Sequence, residues 1–296
     1  MRIAVTGAAG QLGSYIMDMA SEGHELVGID IEATKFPSHR PHMVKADIRD
    51  REAMAEAFAG CDAVIHCAAQ VSVVNSIKDP LNDLSQNVEG TINLLRSAAA
   101  CGVGKIIYIS SAATYGNPVR IPIDEGHPLD PISPYGASKM SAEQYCRVFS
   151  VTEKLPYVVV RPFNFYSPRA DPKSPYSGVI TRFVEWAKRG EPLLVEGDGD
   201  QTRDFIHAED VTRMVLMAVT SDVANVTLNC GSGHGTSINE LARTVVDASE
   251  RSIEVKHIAP RIGDIRHSVS DMSSTRRLLG FETEVSLKKG IKAFFD

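Results

Sequence analysis

The first thirty residues constrain the fold more than any other stretch. Ile3-Ala4-Val5-Thr6 is a short apolar run that ends in Gly7-Ala8-Ala9-Gly10-Gln11-Leu12-Gly13. A helical pattern follows to about Glu22, and a second apolar run, Glu25-Leu26-Val27-Gly28-Ile29, ends at Asp30. The order is strand, glycine-rich turn, helix, strand, acid. In such a unit Gly7 permits the tight turn, Gly10 lets backbone approach a pyrophosphate, and Gly13 allows close helix–strand packing. The helix N-terminus supplies N–H donors to the phosphates. Asp30 stands 17 residues after Gly13, where a carboxylate bonds the adenosine ribose hydroxyls and repels a 2′-phosphate, so NAD is favoured over NADP. Lys35 and Arg40 weaken that preference. The spacing is Gly-x-x-Gly-x-x-Gly, not the Gly-x-Gly-x-x-Gly of the simplest dinucleotide-binding fold.

The same alternation continues. Val44 to Ile48 reads as a third strand ending in an acid; Asp47 either bonds the adenine amine or caps the helix that opens near Arg49-Asp50. Ala63-Val64-Ile65-His66 reads as a fourth strand, buried on both faces, with His66 as a satisfied structural histidine. The small residues of Cys67-Ala68-Ala69-Gln70 let backbone pass the cofactor phosphates. A long helix runs from about Asn87 to Cys101. The strand Lys105 to Ile109 then ends at Ser110-Ser111, and Val158-Val159-Val160 is a further buried strand leading to Asn164. Strands alternating with helices predict an α/β fold with a doubly wound parallel sheet of the Rossmann kind. Ligands bind such sheets beyond the carboxyl ends of the strands, and Gly7, Ala68 and Ser111 all follow such ends. Residues 1–166 are expected to form the NAD-binding domain. Residues 167–296 form mainly a smaller C-terminal α/β lobe, with about 204–231 packing back on the sheet.

Ser133-Pro134-Tyr135-Gly136-Ala137-Ser138-Lys139 opens another helix. Ser133 can cap it, and Pro134 suits its first position. Tyr135 and Lys139 then share one face, about 5–6 Å apart. A fixed ammonium beside a tyrosine favours the phenolate. Lowering a tyrosine pKa by about three units needs roughly 4 kcal/mol, towards which a second cation such as an oxidised nicotinamide ring contributes. By itself Tyr-x-x-x-Lys is also the ordinary surface of an amphipathic helix.

Composition excludes several classes. A net charge of −6 provides no general attraction for nucleic acid or an anionic membrane, so an anionic ligand must be held by locally placed arginines. The five cysteines include no Cys-x-x-Cys pair, which argues against zinc and against a disulfide framework. No apolar run approaches the ~20 residues of a membrane span. Met1-Arg2 leads directly into a strand, so a soluble, cytoplasmic protein without a signal peptide is expected.

Taken together, Thr6 to Gly13, Asp30, His66-Cys67-Ala68-Ala69, Asn87, Ser110-Ser111, Tyr115-Gly116 and Tyr135-x-x-x-Lys139 resemble the extended short-chain dehydrogenase/reductase family. Arg161 to Arg169, Gly197 to Phe205 and Arg261-Ile262-Gly263-Asp264 narrow the resemblance to its nucleotide-sugar epimerase/dehydratase branch, nearest the short UDP-glucose 4-epimerase-like proteins. The resemblance spans essentially the whole chain. It implies that NAD is contacted by Gly7, Gly10, Gln11, Leu12, Gly13, Asp30, Asp47, Ile48, Ala68, Ala69, Asn87, Tyr135 and Lys139. It implies that Tyr135 takes the proton of a sugar 4-hydroxyl, that Ser111 bonds the same oxygen, and that Lys139 binds the nicotinamide ribose and depresses the Tyr135 pKa. Related 4,6-dehydratases carry Asp-Glu directly after the Ser/Thr; Ala112-Ala113 stand here, so elimination is not expected.

On the substrate side the resemblance implies that Asn164 contacts the sugar-nucleotide phosphate, that Arg203 and Arg261 grip the diphosphate, and that Asp264 reaches the nucleotide ribose. Asp204 is expected to fix Arg203, Asp210 to cap a helix, and the stretch from Arg169 to Gly178 to be a mobile loop. Ser268 falls beside the sugar C2 substituent, where a small residue leaves room for an N-acetyl group. The implied activity is 4-epimerisation of UDP-glucose/UDP-galactose, with UDP-N-acetylhexosamines admitted, in a homodimer. Its competitors are a UDP-glucuronate 4-epimerase, a 4-keto-sugar reductase and a non-catalytic NAD-sensing protein. Two positions depart from the family pattern: Ala8 replaces a frequent glycine, and Ser167 stands where glycine usually precedes Pro-Arg.

Overall fold

Ala63 to His66 and Tyr157 to Pro162 are buried at every position, so neither face of these strands meets water and helices must cover both. The computed structural model describes residues 1–171, 178–260 and 265–296. Its main sheet has seven strands: β1 (Arg2–Thr6), β2 (Glu25–Asp30), β3 (Met43–Lys45), β4 (Ala63–His66), β5 (Lys105–Ile109), β6 (Tyr157–Pro162) and β10 (Val226–Cys230). They run in the order β3-β2-β1-β4-β5-β6-β10, and every neighbouring pair is parallel. This is the doubly wound order, with its reversal between β1 and β4.

β3 is shorter than the expected Val44 to Ile48. Beyond Lys45 the backbone turns to satisfy carboxylates instead of a ladder. Asp47 accepts from the backbone and guanidinium of Arg49. Asp50, not Asp47, caps the following helix by accepting from Glu52 and Ala53.

The helices are α1 (Gln11–Ala20), α2 (Arg51–Phe58), α3 (Val73–Lys78), α4 (Pro80–Leu84), α5 (Gly90–Ala100), α6 (Pro134–Thr152), α7 (Val179–Arg189), α8 (Ala208–Thr220), α9 (Ile238–Ser249), α10 (Ser273–Leu279) and α11 (Leu287–Lys292). Ile16 of α1 and Val211 and Val215 of α8 close one face of the sheet over Ile3, Val5 and Ile107. Met54 of α2, Leu94 of α5 and Ala142 of α6 close the other over Val64, Ile106 and Val159. Each such fully buried Val, Leu or Ile contributes about 1.5–3 kcal/mol of transfer free energy.

A second lobe is built on β7 (Asn164–Tyr166), β8 (Leu193–Glu196), β9 (Thr202–His207), β11 (Gly235–Ser237), β12 (Val255–Ile258) and β13 (His267–Ser268). β9 is its centre and pairs with β7, β11 and β13. Phe183, Val184, Leu241 and Ile291 from α7, α9 and α11 pack on it. The chain returns to the main sheet with α8 and β10.

Candidate active site

At the β1–β4 switch point the backbone admits no side chains. Gly7 has φ +70°, and a Cβ there would lie 2.7 Å from the Ala68 nitrogen. A Cβ on Gly13 would lie 2.1 Å from the Gly7 carbonyl oxygen. Gly10 is the N-cap of α1, and no side chain caps that helix, so its first-turn N–H groups are left for a ligand. Leu12 buries its side chain in the core and offers only backbone, while the Gln11 amide donates to Ser167 Oγ at 3.0 Å. Asp30, at the end of β2, accepts from the nitrogens of Ala9 and Glu32, each at 2.9 Å. Two such bonds leave the carboxylate free lone pairs for hydroxyl donors. An uncapped helix start, a turn of glycines and alanines and a fixed carboxylate beside it fit a dinucleotide.

The remaining cradle residues are placed as follows. Asp47 is an ion-pair partner of Arg49, whose hydrogen bonds hold its carboxyl below the usual range. The carbonyl of Ile48 accepts from Asn93. Ala68 and Ala69 are half-buried after β4, and Ala68 N donates to Thr6 Oγ1. The buried Asn87 amide accepts from Gln70 N and donates to Gln70 O, Ser138 Oγ and Asp83 Oδ1, so it holds the turn after β4 against α6. His66 lies between the hydroxyls of Thr6 and Thr91 at 2.8 and 3.0 Å. Burial, with the Lys139 charge, pushes its pKa to about 3, and it is a neutral structural residue.

Ser133 caps α6 by accepting from Gly136 N at 3.1 Å, with Pro134 in the first turn. This sets Tyr135 and Lys139 facing the end of β5. Ser111 Oγ accepts from Ala113 N at 3.1 Å, and its hydroxyl is close enough to Tyr135 to favour the phenolate. Lys139 is only 3% exposed. Its ammonium lies 4.4 Å from the centre of the Tyr108 ring, and burial lowers its pKa to about 8. The expected depression of Tyr135 by Lys139 is not found in this chain alone. Burial raises the Tyr135 pKa, the Ser111 hydroxyl lowers it less, and the nearby Asp83 charge raises it further. Tyr135 therefore holds its proton at neutral pH.

The sequence reading missed the support beneath this group. Glu143 accepts from Arg161 Nε at 2.9 Å and Nη2 at 2.6 Å, and from the Ser110 hydroxyl. Arg161 also lies over the Tyr115 ring, and Tyr115 donates to Asn229 at 2.6 Å. The pair clamps α6 to the ends of β5 and β6. Its signal was legible, because Tyr135, Lys139 and Glu143 recur at every fourth residue on one helical face.

Across the crevice, Asn164 is exposed at the start of β7, with Nδ2 3.4 Å from the Asp204 carbonyl oxygen. Arg203 lies on β9 in register with Ser268 of β13, so these two meet on the same lobe. Asp204 does not fix Arg203. Its carboxylate instead accepts from Ser232 N and Oγ, Gly233 N, and Ser270 N and Oγ. Asp210 is not a cap either: His207 caps α8, and Asp210 accepts from Arg213, Glu284 N and Val285 N. Arg261 and Asp264 lie outside the described residues, as do residues 172–177 of the expected loop. Arg169, at the start of that stretch, is anchored by an ion pair with Asp18. Among the described residues no helix is long and apolar enough to cross a membrane.

Residues 3–231 match the model of the NAD dependent epimerase/dehydratase family. The UDP-glucose 4-epimerase of Mycolicibacterium smegmatis is 34% identical over 98% of this chain and 96% of its own. The structure superposes on that of the UDP-glucose 4-epimerase of Thermotoga maritima with UDP-glucose, with a TM-score of 0.94 at 34% identity over 100% of this chain and 98% of the other. The UDP-N-acetylglucosamine 4-epimerase of Methanobrevibacter ruminantium gives a TM-score of 0.94 at 31% identity over 99% and 97%. With the glycine cradle, Asp30 and the Ser111–Tyr135–Lys139 group in place, the chain belongs to the NAD dependent epimerase/dehydratase family.

Proposed function

We propose that this protein is a nucleotide-sugar 4-epimerase that interconverts UDP-glucose and UDP-galactose and admits UDP-N-acetylhexosamines. The observation that carries the reading is the placement of Tyr135 and the buried Lys139 one turn apart at the start of α6, with the Ser111 hydroxyl acting on Tyr135 and Ala112 and Ala113 where a dehydratase needs an acid pair. Gly7, Gly10, Gln11, Leu12, Gly13 and Asp30 would hold NAD, with Asp47, Ile48, Ala68, Ala69 and Asn87 along the same crevice. When bound, NAD would supply the hydride acceptor and donor for C4, so that the carbon is inverted with no net redox change. Tyr135 takes the proton of the 4-hydroxyl and later returns it to the same oxygen. Ser111 holds that oxygen in line with Tyr135. Lys139, whose ammonium contacts the Tyr108 ring and forms an ion pair with no carboxylate among the described residues, binds the nicotinamide ribose. Arg203, with Arg261, grips the diphosphate through planar guanidinium forks, while Asn164 contacts it and Asp264 the ribose.

Ser268, beside Arg203 in register, leaves space at the sugar C2 substituent. Ser268→Tyr is expected to abolish turnover of UDP-N-acetylglucosamine and spare UDP-galactose. We also read the exposed apolar residues Ile77, Leu81 and Leu84 with Val148 and Val151 of α6 as the contact face of a homodimer.

The deciding experiment incubates the purified protein with UDP-galactose without added NAD and separates the products. Appearance of UDP-glucose without net NADH supports epimerisation with a retained cofactor. Stoichiometric consumption of NADH would instead identify a reductase, and turnover of UDP-glucuronate alone a different epimerase.

A further inference from the structure

Ser167 occupies a position that is usually glycine in the proteins this chain resembles, and its hydroxyl is engaged. The residue is 0% exposed. Its Oγ accepts from Gln11 Nε2 at 3.0 Å and from Arg169 N at 3.3 Å. Two residues further on, the Arg169 guanidinium lies 4.0 Å from the centre of the Tyr15 ring and 4.4 Å from that of Phe36. It also pairs with Asp18, which in turn bonds His39 Nε2 at 2.6 Å. Gln11, Tyr15 and Asp18 belong to α1. Phe36 and His39 belong to the segment that follows β2 and Asp30. Three stretches far apart in sequence therefore meet at Ser167 and Arg169, on the outer side of the crevice that the dinucleotide would fill.

We propose that Ser167 and Arg169 are positioning residues that latch the segment 31–42 to α1 and thereby set how slowly bound NAD is released. The proposal rests on the NAD reading above. The start of α1 presents the donors for the pyrophosphate, and the segment after Asp30 borders the adenosine side. A dinucleotide seated between them leaves when those two walls part. A guanidinium between two rings resists parting through cation–π attraction on both of its faces, and the Asp18 ion pair sets its orientation. Ser167 ties the same latch to Gln11, next to the glycine turn. Slow release suits an epimerase, because the cofactor is restored within each turnover and need not exchange.

The test measures NAD release directly. Wild-type protein, Ser167→Ala, Arg169→Met and Arg169→Lys are loaded with radiolabelled NAD and diluted into excess unlabelled NAD, and retained label is followed with time. The latch predicts release roughly tenfold faster for Arg169→Met and several-fold faster for Ser167→Ala. Arg169→Lys should stay fast, since an ammonium cannot stack flat between two rings. At saturating NAD, kcat and the KM for the UDP-sugar should stay within about twofold of wild type. Wild-type release rates in all three variants would overturn the latch and leave the NAD reading standing. So would a lower unfolding temperature of the cofactor-free variants with unchanged release, the mark of a merely structural role. Failure of the wild-type protein to take up label would instead overturn the NAD reading beneath it.

Discussion

Two buried carboxylates organise the two sides of the crevice, and they are satisfied in opposite ways. Glu143, on α6 two turns beyond Tyr135, is 4% exposed and is paired with Arg161, itself 4% exposed. Asp204, at the centre of the second lobe, is 0% exposed and is surrounded by the backbone and hydroxyl donors of Ser232, Gly233 and Ser270. Among the described residues no cation pairs with it. The first arrangement joins a helix to two strand ends and sets the direction of Tyr135 and Lys139. The second gathers β9, the turn after β10 and the residues after β13, and so sets the register that puts Arg203 beside Ser268. In the proposed reaction, one side orients the groups that would move protons and the other shapes the surface that would hold the substrate.

The sharpest test of this division compares Tyr135→Phe with Arg203→Ala. Loss of the phenol is expected to lower kcat by about 10²–10⁴-fold, with NAD still bound. Loss of the guanidinium is expected to raise the KM for the UDP-sugar at least tenfold, the equivalent of about 1.5–3 kcal/mol for a charge-assisted contact, with a smaller change in kcat. Steady-state kinetics on both variants decide it, and equal losses in kcat would erase the distinction.

The carboxylates themselves come next. Glu143→Ala leaves Arg161 buried without its partner and should destabilise the fold by about 3–5 kcal/mol, while Glu143→Ala with Arg161→Met should recover most of that. Asp204→Asn keeps the shape but weakens the bonds to its donors, and should cost about 1.5–3 kcal/mol. Urea unfolding of the three proteins checks the order, and a larger loss for Asp204→Asn than for Glu143→Ala would reverse it.

The Tyr135–Lys139 side also carries a cost. Lys139 has a folded pKa of about 8, below its unfolded value. The unfolded chain therefore binds this proton more tightly. The stability contributed by the group is present above about pH 10.4 and is lost as pH falls to about 8. At neutral pH the buried ammonium costs the cofactor-free protein on the order of 3 kcal/mol. Lys139→Met should raise cofactor-free stability at pH 7 by an amount of that order, flatten the rise between pH 8 and 10, and abolish epimerisation. Urea unfolding across pH reads this out, and a Lys139→Met protein less stable than wild type would contradict it.

The sequence by itself determined what depends on neighbours within a turn or two. The positive φ of Gly7, the uncapped start of α1, the Ser133 cap with Pro134 behind it, and the one face shared by Tyr135 and Lys139 all follow from spacings of four residues or fewer. The consecutive apolar residues of β4 and β6 likewise required a sheet covered on both faces. What only the tertiary structure decided was the partner of each buried charge. Arg203 and Asp204 are adjacent on a strand, so their side chains leave opposite faces and cannot pair; the donors to Asp204 come from residues 28 to 66 positions away. Glu143 finds Arg161 on a strand 18 residues on, and Ser167 meets Gln11 across 156 residues. The direction of the Tyr135 pKa was hidden for the same reason. Helical spacing sets Lys139 one turn away, but the burial that raises the Tyr135 pKa is made by elements from across the chain, and no local pattern records how deeply a side chain will be enclosed.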